Sequence, residues 1–251
     1  MDRMIEAARE RIPASSIHRG ASVESVRRDS DGRLILSING AEMAVDAVCS
    51  CVTAWRAASI FSAIDPALSE DLGRVPYGSI GTVNLLYDKT DVKHPLDGFG
   101  FVVPELERRG IIGCSFSSVK FPGRAPEGKV LLRAYLGGKA AEKTLHEPDD
   151  KILDIVSKDL FELLGIRAKP LLVRIRKHLS AMPQYQVGHL DLVRSIEGRA
   201  EKNAGIFFAG NAFHGVGIPN CVRSAEKSAE RAVSYLSRLC NLPKIPSRIL
   251  S

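Results

Sequence analysis

A glycine-rich turn near residue 215 constrains the fold of this chain more than any other sequence feature. The segment GIFFAGNAFHGVGIPNC runs from Gly205 to Cys221 and passes from an apolar run through a turn into a helical pattern. A strand, a glycine-rich turn and a helix in this order are typical of an α/β nucleotide site. A dinucleotide fingerprint, however, needs a third glycine where Asn220 stands, and a second strand after the helix. We therefore do not expect this segment to open a Rossmann unit.

The start of the helix after this turn is expected to present free backbone N–H groups. Pro219 suits the first helical position, because its missing N–H would have no helical partner. Gly215 and Gly217 allow a ligand to approach the backbone without meeting a Cβ atom. The positive end of the helix dipole favours a planar carbonyl group or a developing negative charge. From these residues alone, a ligand site and an ordinary packed turn remain equally open.

The remaining sequence predicts α/β structure at both ends and an antiparallel sheet with a helix in the middle. The hydrophobic periodicity and the turn residues support this division. The predicted elements are an amphipathic helix at Met4–Ile12, a hairpin around Asp31–Gly32, a buried third strand at 41–52, helices near Trp55–Ala63 and Pro66–Leu72, four strand-like runs between Val75 and Gly138, a helix at Asp149–Leu164, a strand at Pro170–His178, a helix at Asp191–Lys202, a strand at Gly205–Gly210 and a helix at Pro219–Leu239. In the last helix, one face is predicted to pack in the core, namely Val222, Ala225, Ala229, Val233 and Leu236.

The charge of the chain excludes some partners and leaves others open. The formal net charge is +6, and its basic residues are scattered, with a short cluster at Arg174, Arg176 and Lys177. Because no basic run is interleaved with aromatic residues, we predict no nucleic-acid partner. A solvated surface, an anionic ligand and an anionic membrane surface are all compatible with the excess charge.

The cysteines and the N-terminal sequence favour a cytoplasmic protein. No signal peptide is recognisable, and no apolar run approaches the about 20 residues that a membrane-spanning helix needs. Contact with the membrane periphery is the open alternative. No residue spacing indicates a metal site. We interpret the five cysteines as small buried apolar residues in a reducing compartment, namely Cys49, Cys51, Cys114, Cys221 and Cys240.

Several segments resemble one enzyme family. FFAGNAFHGVGIPNCVRSAEKSAERA, from Phe207, strongly resembles the last flavin-contacting segment of the protoporphyrinogen oxidases, which include coproporphyrinogen-oxidising bacterial forms and belong to the flavin-containing amine oxidase superfamily. AMPQYQVGHL, at Ala181–Leu190, resembles the segment just upstream in that family. The stretches at Val75–Asp88 and Gly98–Gly138 are similar to its central region. The glycine turn alone is shared with amine oxidases and carotene desaturases, whereas its combination with P-Q-Y-x-x-G-H is more specific.

The resemblance implies a fold of the class α/β plus α+β. Residues 1–65 and 183–251 would form part of a discontinuous FAD-binding domain, and residues 66–182 would form an antiparallel-sheet substrate domain with a helix. The family begins with a Rossmann segment that carries G-x-G-x-x-G for the FAD pyrophosphate, and this sequence has none. We therefore expect the C-terminal portion of such an enzyme, in a truncated or split form with a separate N-terminal FAD-binding half.

The resemblance also implies an FAD site. Val216, Gly217 and Ile218 would lie against the isoalloxazine ring, with the helix N-terminus facing the pyrimidine edge. Val23 matches a position at the adenine end, although a buried strand residue explains it equally well. His178 stands where the family often has an aromatic residue near the flavin, and a solvated strand end is its alternative. The full set of predicted FAD-binding residues is Val23, His178, Gly210, Asn211, Val216, Gly217 and Ile218.

The implied reaction is the FAD-dependent oxidation of protoporphyrinogen IX or coproporphyrinogen III to the porphyrin in heme biosynthesis, with oxygen as the acceptor. No catalytic acid or base is assigned, since hydride transfer to a flavin needs positioning more than proton transfer. His189 is expected to fix a turn or cap the following helix, with a catalytic base as its alternative. The alternative functions are another oxidase or desaturase of the superfamily, and a non-catalytic fragment that partners an FAD-binding chain.

Overall fold

The computed structural model describes residues 2–138 and 143–239, which form two compact units. Unit 1 combines the residues up to Val75 with those from Gln186 onwards, and unit 2 comprises Pro76–Tyr185. The boundaries predicted from the sequence, at 65/66 and 182/183, differ from these by one short helix and one strand end. The helices and strands are α1 (Asp2–Glu10), β1 (Val23–Arg28), β2 (Leu34–Ile38), β3 (Ala41–Val45), β4 (Val48–Ser50), α2 (Ala54–Phe61), α3 (Pro66–Gly73), β5 (Tyr77–Asp88), β6 (Gly100–Val102), β7 (Gly113–Phe116), α4 (Ser117–Lys120), β8 (Lys129–Leu136), α5 (Asp149–Leu164), β9 (Leu172–Pro183), α6 (His189–Lys202), β10 (Ile206–Phe208) and α7 (Ile218–Leu239).

Unit 1 contains two small sheets. Strands β1, β2 and β3 form an antiparallel sheet in that order. The predicted hairpin is confirmed, and its turn is closed by the Asp29 carboxylate, which accepts hydrogen bonds from the N–H groups of Asp31 and Arg33. Strands β4 and β10 form a parallel pair in which Val48 lies opposite Ile206 and Ser50 opposite Phe208.

The predicted buried strand at 41–52 is wrong in two respects. The segment divides into β3 and β4, which belong to different sheets, and the side chains of β3 are largely exposed. The division follows from pairing: β3 continues the local meander, whereas β4 pairs with β10, which lies far away in the sequence. Such a distant pairing leaves no local sequence signal.

Helices α3 and α6 are joined by a buried carboxylate. Asp71 on α3 accepts hydrogen bonds from the Ser195 hydroxyl at 2.6 Å and the Arg199 guanidinium at 2.9 Å. Burial alone raises the pKa of Asp71, but the hydrogen bonds from Ser195 and Arg199 outweigh it, so the pKa lies below its ordinary value. Asp65 caps the N-terminus of α3 through the N–H groups of Ala67 and Leu68.

Unit 2 is an antiparallel sheet with the strand order β6-β7-β8-β5-β9. Helix α5 has the predicted bounds, because apolar residues recur along it at helical spacing. Alternate residues of β5 and β8 face the interior and pack with this helix. The fully buried side chains of this core include Val83, Leu85, Tyr87, Leu132, Leu136, Ile152 and Leu160.

The predicted core packing of the last helix is wrong for most of its length. The side chain of Val222 is 48% exposed, Ala225 is also exposed, and Ala229, Val233 and Leu236 are half-buried. The reason is that the strands on which α7 packs, β4 and β10, form a narrow pair, and Ser228 is the buried residue of α7 in the described part of the chain. The apolar stripe of α7 therefore extends beyond the surface that these two strands can cover.

Candidate functional site

The glycine turn begins where the parallel strands of unit 1 end. After β10, the N–H of Ala209 donates to the Ser50 carbonyl of β4 at 3.0 Å. The N–H of Gly210 then donates to the Ser224 hydroxyl on α7 at 3.2 Å. Gly210 has a φ of 125°, a region in which a side chain would be strained. These bonds fix the start of the turn against both the sheet and the helix that follows it.

Two glycines of the turn have different structural requirements. Gly215 has a φ of 127°, and a Cβ atom there would overlap the side chain of Asn220. Gly217 has no such strain, and a Cβ atom there would meet other atoms only at 3.8 Å, from Asn220 and Pro219. Gly215 is therefore required by the protein's own packing. A Cβ atom at Gly217 would make only ordinary contacts with Asn220 and Pro219, which follow it in the chain, so the space beside it is not filled by another element.

The first turn of α7 presents unpaired N–H groups next to this open space. The carbonyl of Gly217 accepts the N–H groups of Asn220 at 2.9 Å and Cys221 at 3.0 Å, which starts the helix. The N–H groups of Val216, Gly217 and Ile218 donate to no group in residues 2–138 and 143–239. Because helix N-termini carry partial positive charge, these N–H groups can bind an electron-rich planar group or an anion.

A buried histidine lies within hydrogen-bond distance of the turn. His189, the first residue of α6, is 7% exposed, and its Nε2 lies within hydrogen-bond distance, 3.1 Å, of the Phe213 carbonyl oxygen. Phe213 is itself buried and packs against Phe208, with ring centroids 6.1 Å apart. His189 thus fixes the turn, as expected from the sequence, and its burial argues against the alternative of a catalytic base. His214, in contrast, is exposed and bonds to Glu197.

The structure brings five of the seven predicted FAD-binding residues together in this turn. Gly210, Asn211, Val216, Gly217 and Ile218 lie between β10 and the first residue of α7, and the side chains of Val216 and Ile218 are nearly half exposed.

The other two predicted residues lie elsewhere in the fold. Val23 is the first residue of β1, and its carbonyl accepts a hydrogen bond from the Arg56 guanidinium at 3.1 Å. His178 is an exposed residue of β9 in unit 2, opposite Ile80 of β5. The roles of all seven residues in FAD binding stay predictions.

Two thiols lie at the carboxyl end of β4, beside this turn. The prediction that Cys49 and Cys51 are buried is wrong, because both are exposed at the open end of the strand pair. The Cys49 thiol lies 3.1 Å from the Ser228 hydroxyl of α7. A hydrogen bond from the Cys51 thiol lowers the pKa of Cys49 to about 6, and the pKa of Cys51 is raised.

The other cysteines differ in their surroundings. Cys114 in unit 2 is buried as predicted, and burial raises its pKa to about 12. Cys221 is partly exposed, and Cys240 lies outside the described residues. The sequence shows the pair Cys49 and Cys51 as Cys-x-Cys, but it did not indicate that both thiols are exposed.

Two further properties concern the described ranges as a whole. Within residues 2–138 and 143–239, no three His, Cys, Asp or Glu side chains are grouped so that they could hold a metal ion. Over the same ranges, none of the helices combines the length and the apolar character needed to cross a bilayer.

An α/β unit with a strand, a glycine turn and a helix, joined to an antiparallel-sheet unit, is the architecture of two-domain flavin-dependent oxidoreductases. The family model of the flavin containing amine oxidoreductases matches residues 1–233. The chain therefore belongs to the flavin containing amine oxidoreductase family.

Individual relatives are porphyrinogen oxidases by name. Coproporphyrinogen III oxidase from Bacillus subtilis is 29% identical over 93% of this chain and 49% of its own length. The chloroplastic protoporphyrinogen oxidase of Nicotiana tabacum is 32% identical over 74% of this chain and 36% of its own length. The chain thus spans about half the length, or less, of these curated relatives.

Solved structures share the fold. A crystal structure of an Exiguobacterium protein, provisionally named a protoporphyrinogen oxidase, superposes with a TM-score of 0.82 at 27% identity and covers 94% of this chain and 51% of that one. A reduced UDP-galactopyranose mutase superposes with a TM-score of 0.67 at 12% identity, over 98% of this chain and 54% of that one. The second likeness concerns the fold alone.

Proposed function

We propose that unit 1 binds the isoalloxazine ring of FAD at the N-terminus of α7. Val216, Gly217 and Ile218 would hold the ring through their backbone, Gly210 and Asn211 would line the entrance to the turn, and Val23 would contact the cofactor farther from the ring. The assignment of His178, a residue of unit 2, rests on the sequence resemblance alone. When bound, FAD supplies the capacity to accept a hydride. The observation that carries this proposal is the coincidence of unpaired N–H groups with the open space beside Gly217.

The contribution of the protein is electrostatic and geometric. N–H groups at a helix N-terminus favour negative charge, and reduction of a flavin places negative charge on its pyrimidine edge. The turn is held rigidly by the hydrogen bonds of Gly210 and His189, so its N–H groups need little reorganisation when charge develops. The apolar side chains of Val216 and Ile218 would exclude water from the ring.

We propose that the reaction is the oxidation of a porphyrinogen to a porphyrin in heme biosynthesis, with oxygen as the acceptor and a cytoplasmic location. The names of the relatives support the substrate class, and the P-Q-Y-x-x-G-H segment favours it over an amine substrate. In this proposal unit 1 is the FAD-binding side and unit 2 the substrate side.

A separate N-terminal FAD-binding half would complete unit 1. A parallel sheet of two strands is unusual, because parallel strands are normally covered on both faces within larger sheets. Beside β10 lies a groove of about 730 Å³, lined by Phe207, Tyr235 and Leu239 among others. Together with the half-exposed stripe of α7, this groove offers surface against which further elements could pack.

Flavin binding tests this proposal directly. The purified chain is titrated with FAD, alone and mixed with the N-terminal half of the Bacillus subtilis relative, and the visible spectrum and flavin fluorescence are recorded. We expect a bound flavin spectrum in at least the mixture, followed by porphyrinogen oxidation. A mixture in which the visible spectrum and fluorescence remain those of free FAD would reject the flavin site and favour a non-catalytic role.

A matched pair of variants locates the site. Gly217→Ala is expected to weaken FAD binding by about tenfold or more, since a methyl group then separates the ring from the backbone. Gly198→Ala on α6 is the control, because a Cβ atom there meets nothing within 4 Å and the position lies outside the glycine turn. Equal FAD affinity in both variants would place the flavin elsewhere.

A further inference from the structure

One face of the unit 2 sheet is not covered by α5, and strand register arranges two rows of side chains across it. Because residues alternate between faces along a strand, the register assigns each position to one face. In the first row, Arg176 of β9 lies opposite Thr82 of β5, which lies opposite Tyr135 of β8. The second row, displaced by two residues along each strand, consists of Arg174, Asn84, Arg133 and Ser115.

Every charged side chain in these two rows is positive. Arg174 and Arg176 are exposed, and Arg133 is half-buried. The guanidinium of Arg133 donates to the side-chain Oδ1 of Asn84 at 2.7 Å, and the Asn84 side-chain amide donates to the Arg174 backbone carbonyl at 3.3 Å. None of the three arginines forms an ion pair with any residue that the structure describes.

The nearest carboxylate of β5 on the same face does not neutralise them. Asp88 lies four residues beyond Asn84 along the strand, and it is paired with Lys129 of β8 at 2.6 Å. Lys177 is adjacent to Arg176 but faces the other side, where it bonds to the Glu147 carbonyl and pairs with Asp149. The positive face is thus a property of three arginines and not of the basic cluster as a whole.

The spacing of the arginines indicates the size of the ligand. Strands in a sheet are about 4.8 Å apart, so Arg133 and Arg174, on either side of β5, have backbones about 10 Å apart. Arg174 and Arg176 are two residues apart, or about 7 Å along β9. Three positive groups distributed over such a surface fit a broad ligand with several separate carboxylates better than a single phosphate.

We propose that Arg133, Arg174 and Arg176 bind the peripheral carboxylates of a tetrapyrrole on this face. The inference rests on the proposed function and adds to it a preference: a tetrapyrrole with four propionates is bound more tightly than one with two. The reason is that three guanidinium groups are neutralised together only by a ligand with at least three carboxylates. Guanidinium groups bind carboxylates through paired hydrogen bonds, which fix orientation as well as charge.

Equilibrium binding of two porphyrins tests this preference without a flavin. The chain is titrated with coproporphyrin III, which has four propionates, and with protoporphyrin IX, which has two, by porphyrin fluorescence at low and at high salt. We expect coproporphyrin III to bind about tenfold more tightly at low salt, and this ratio to fall as salt is added. Equal affinities at low salt, or tighter binding of protoporphyrin IX, would overturn the proposal.

Variants assign the effect to residues. The triple variant Arg133→Gln, Arg174→Gln, Arg176→Gln is expected to lose about tenfold in coproporphyrin III affinity and little in protoporphyrin IX affinity. Lys177→Gln is the control, because it removes an adjacent positive charge from the opposite face and should change neither affinity. Arg174→Lys retains the charge but not the paired geometry, so it should weaken binding less than Arg174→Gln. Circular dichroism of each variant establishes that unit 2 is folded.

Two further outcomes distinguish tetrapyrrole binding on this face from membrane contact and from failure of the flavin site. If vesicles with anionic lipid bind the parent chain but not the triple variant, and the porphyrins are not discriminated, the arginines contact a membrane and the proposal fails. If FAD fails to bind while the porphyrin preference and its loss in the triple variant are observed, the flavin site is wrong and the tetrapyrrole site stands.

Discussion

Unit 2 and unit 1 differ in how completely the apolar faces of their elements are covered. The five strands of unit 2 pack with α5 over a core whose central side chains are fully buried. In unit 1 the parallel pair β4–β10 has two strands in the described chain, and the apolar stripe of α7 is half exposed. The difference indicates that the described elements of unit 2 cover their own core, whereas those of unit 1 leave more of their apolar surface exposed.

The largest expected effect contrasts a core residue of unit 2 with a residue of the α7 stripe. Leu132→Ala should lower the free energy of unfolding by about 3 kcal/mol, because it leaves a cavity in a fully buried site. Val222→Ala should cost less than about 0.5 kcal/mol, because its side chain is 48% exposed. Urea unfolding followed by circular dichroism measures both changes. A comparable loss in the two variants would show that the α7 stripe is covered within the chain itself.

The next effect compares two glycines within unit 1. Gly215→Ala should cost about 2 kcal/mol, because its φ of 127° and the side chain of Asn220 both oppose a Cβ atom. Gly217→Ala should leave stability nearly unchanged. Thermal unfolding of the two variants measures the difference. If Gly217→Ala is the more destabilising variant, the space beside it is not open.

A third effect concerns the buried carboxylate that joins α3 and α6. Asp71→Asn should cost about 2 kcal/mol at pH 7, because charge-assisted hydrogen bonds from Ser195 and Arg199 are weakened. Because the pKa of Asp71 is lower in the folded state than in the unfolded one, its contribution is complete above the unfolded pKa of about 3.9 and is lost as the pH falls through the folded value.

Urea unfolding between pH 7 and pH 3 tests this dependence. The stability difference between the parent and Asp71→Asn should be constant from pH 7 to pH 5 and should shrink below about pH 4. A difference that grows as the pH falls would contradict the assigned direction. Asp88→Asn in unit 2, on the protein surface, is the comparison variant and should have a smaller effect throughout.

The prediction with the smallest effect on structure compares the rates at which thiols of the two units are chemically modified. Cys49 in unit 1 should react with iodoacetamide with a half-maximal rate near pH 6, because the hydrogen bond from Cys51 stabilises its thiolate. Cys114 in unit 2 should remain unmodified while the unit is folded, because it is buried. Mass spectrometry of the modified peptides measures both rates. Cys51→Ala should raise the pKa of Cys49, and an unchanged pH profile in that variant would contradict the assigned hydrogen bond.

Local patterns predicted much of the fold. The bounds of α5 followed from its apolar spacing, and the hairpin between β1 and β2 from Asp31–Gly32. The division of the third strand and the exposure of Cys49 did not follow, because both depend on the distant pairing of β4 with β10. Periodicity can identify an apolar face but does not show whether the chain supplies a surface that covers it, and α7 illustrates this limit.

The candidate site was predicted in part for similar reasons. The glycine turn and its helix are contiguous in sequence, so their residue types indicated a ligand site. The hydrogen bond between His189 and Phe213 joins residues 24 positions apart, and only the P-Q-Y-x-x-G-H segment pointed to His189. Arg174 and Arg176 share a face by their two-residue spacing, whereas the alignment of Arg133 with them requires the register of three strands.

The central claim is that the N–H groups at the start of α7 contact the flavin ring. Hydrogen–deuterium exchange of the amides of Val216, Gly217 and Ile218, measured with and without bound FAD in the complex with the N-terminal half, tests it most directly. We predict slower exchange at these three amides when FAD is bound to that complex, and no FAD-dependent change at Gly128 in a surface turn of unit 2. Bound FAD with unchanged exchange at the start of α7 would contradict the claim.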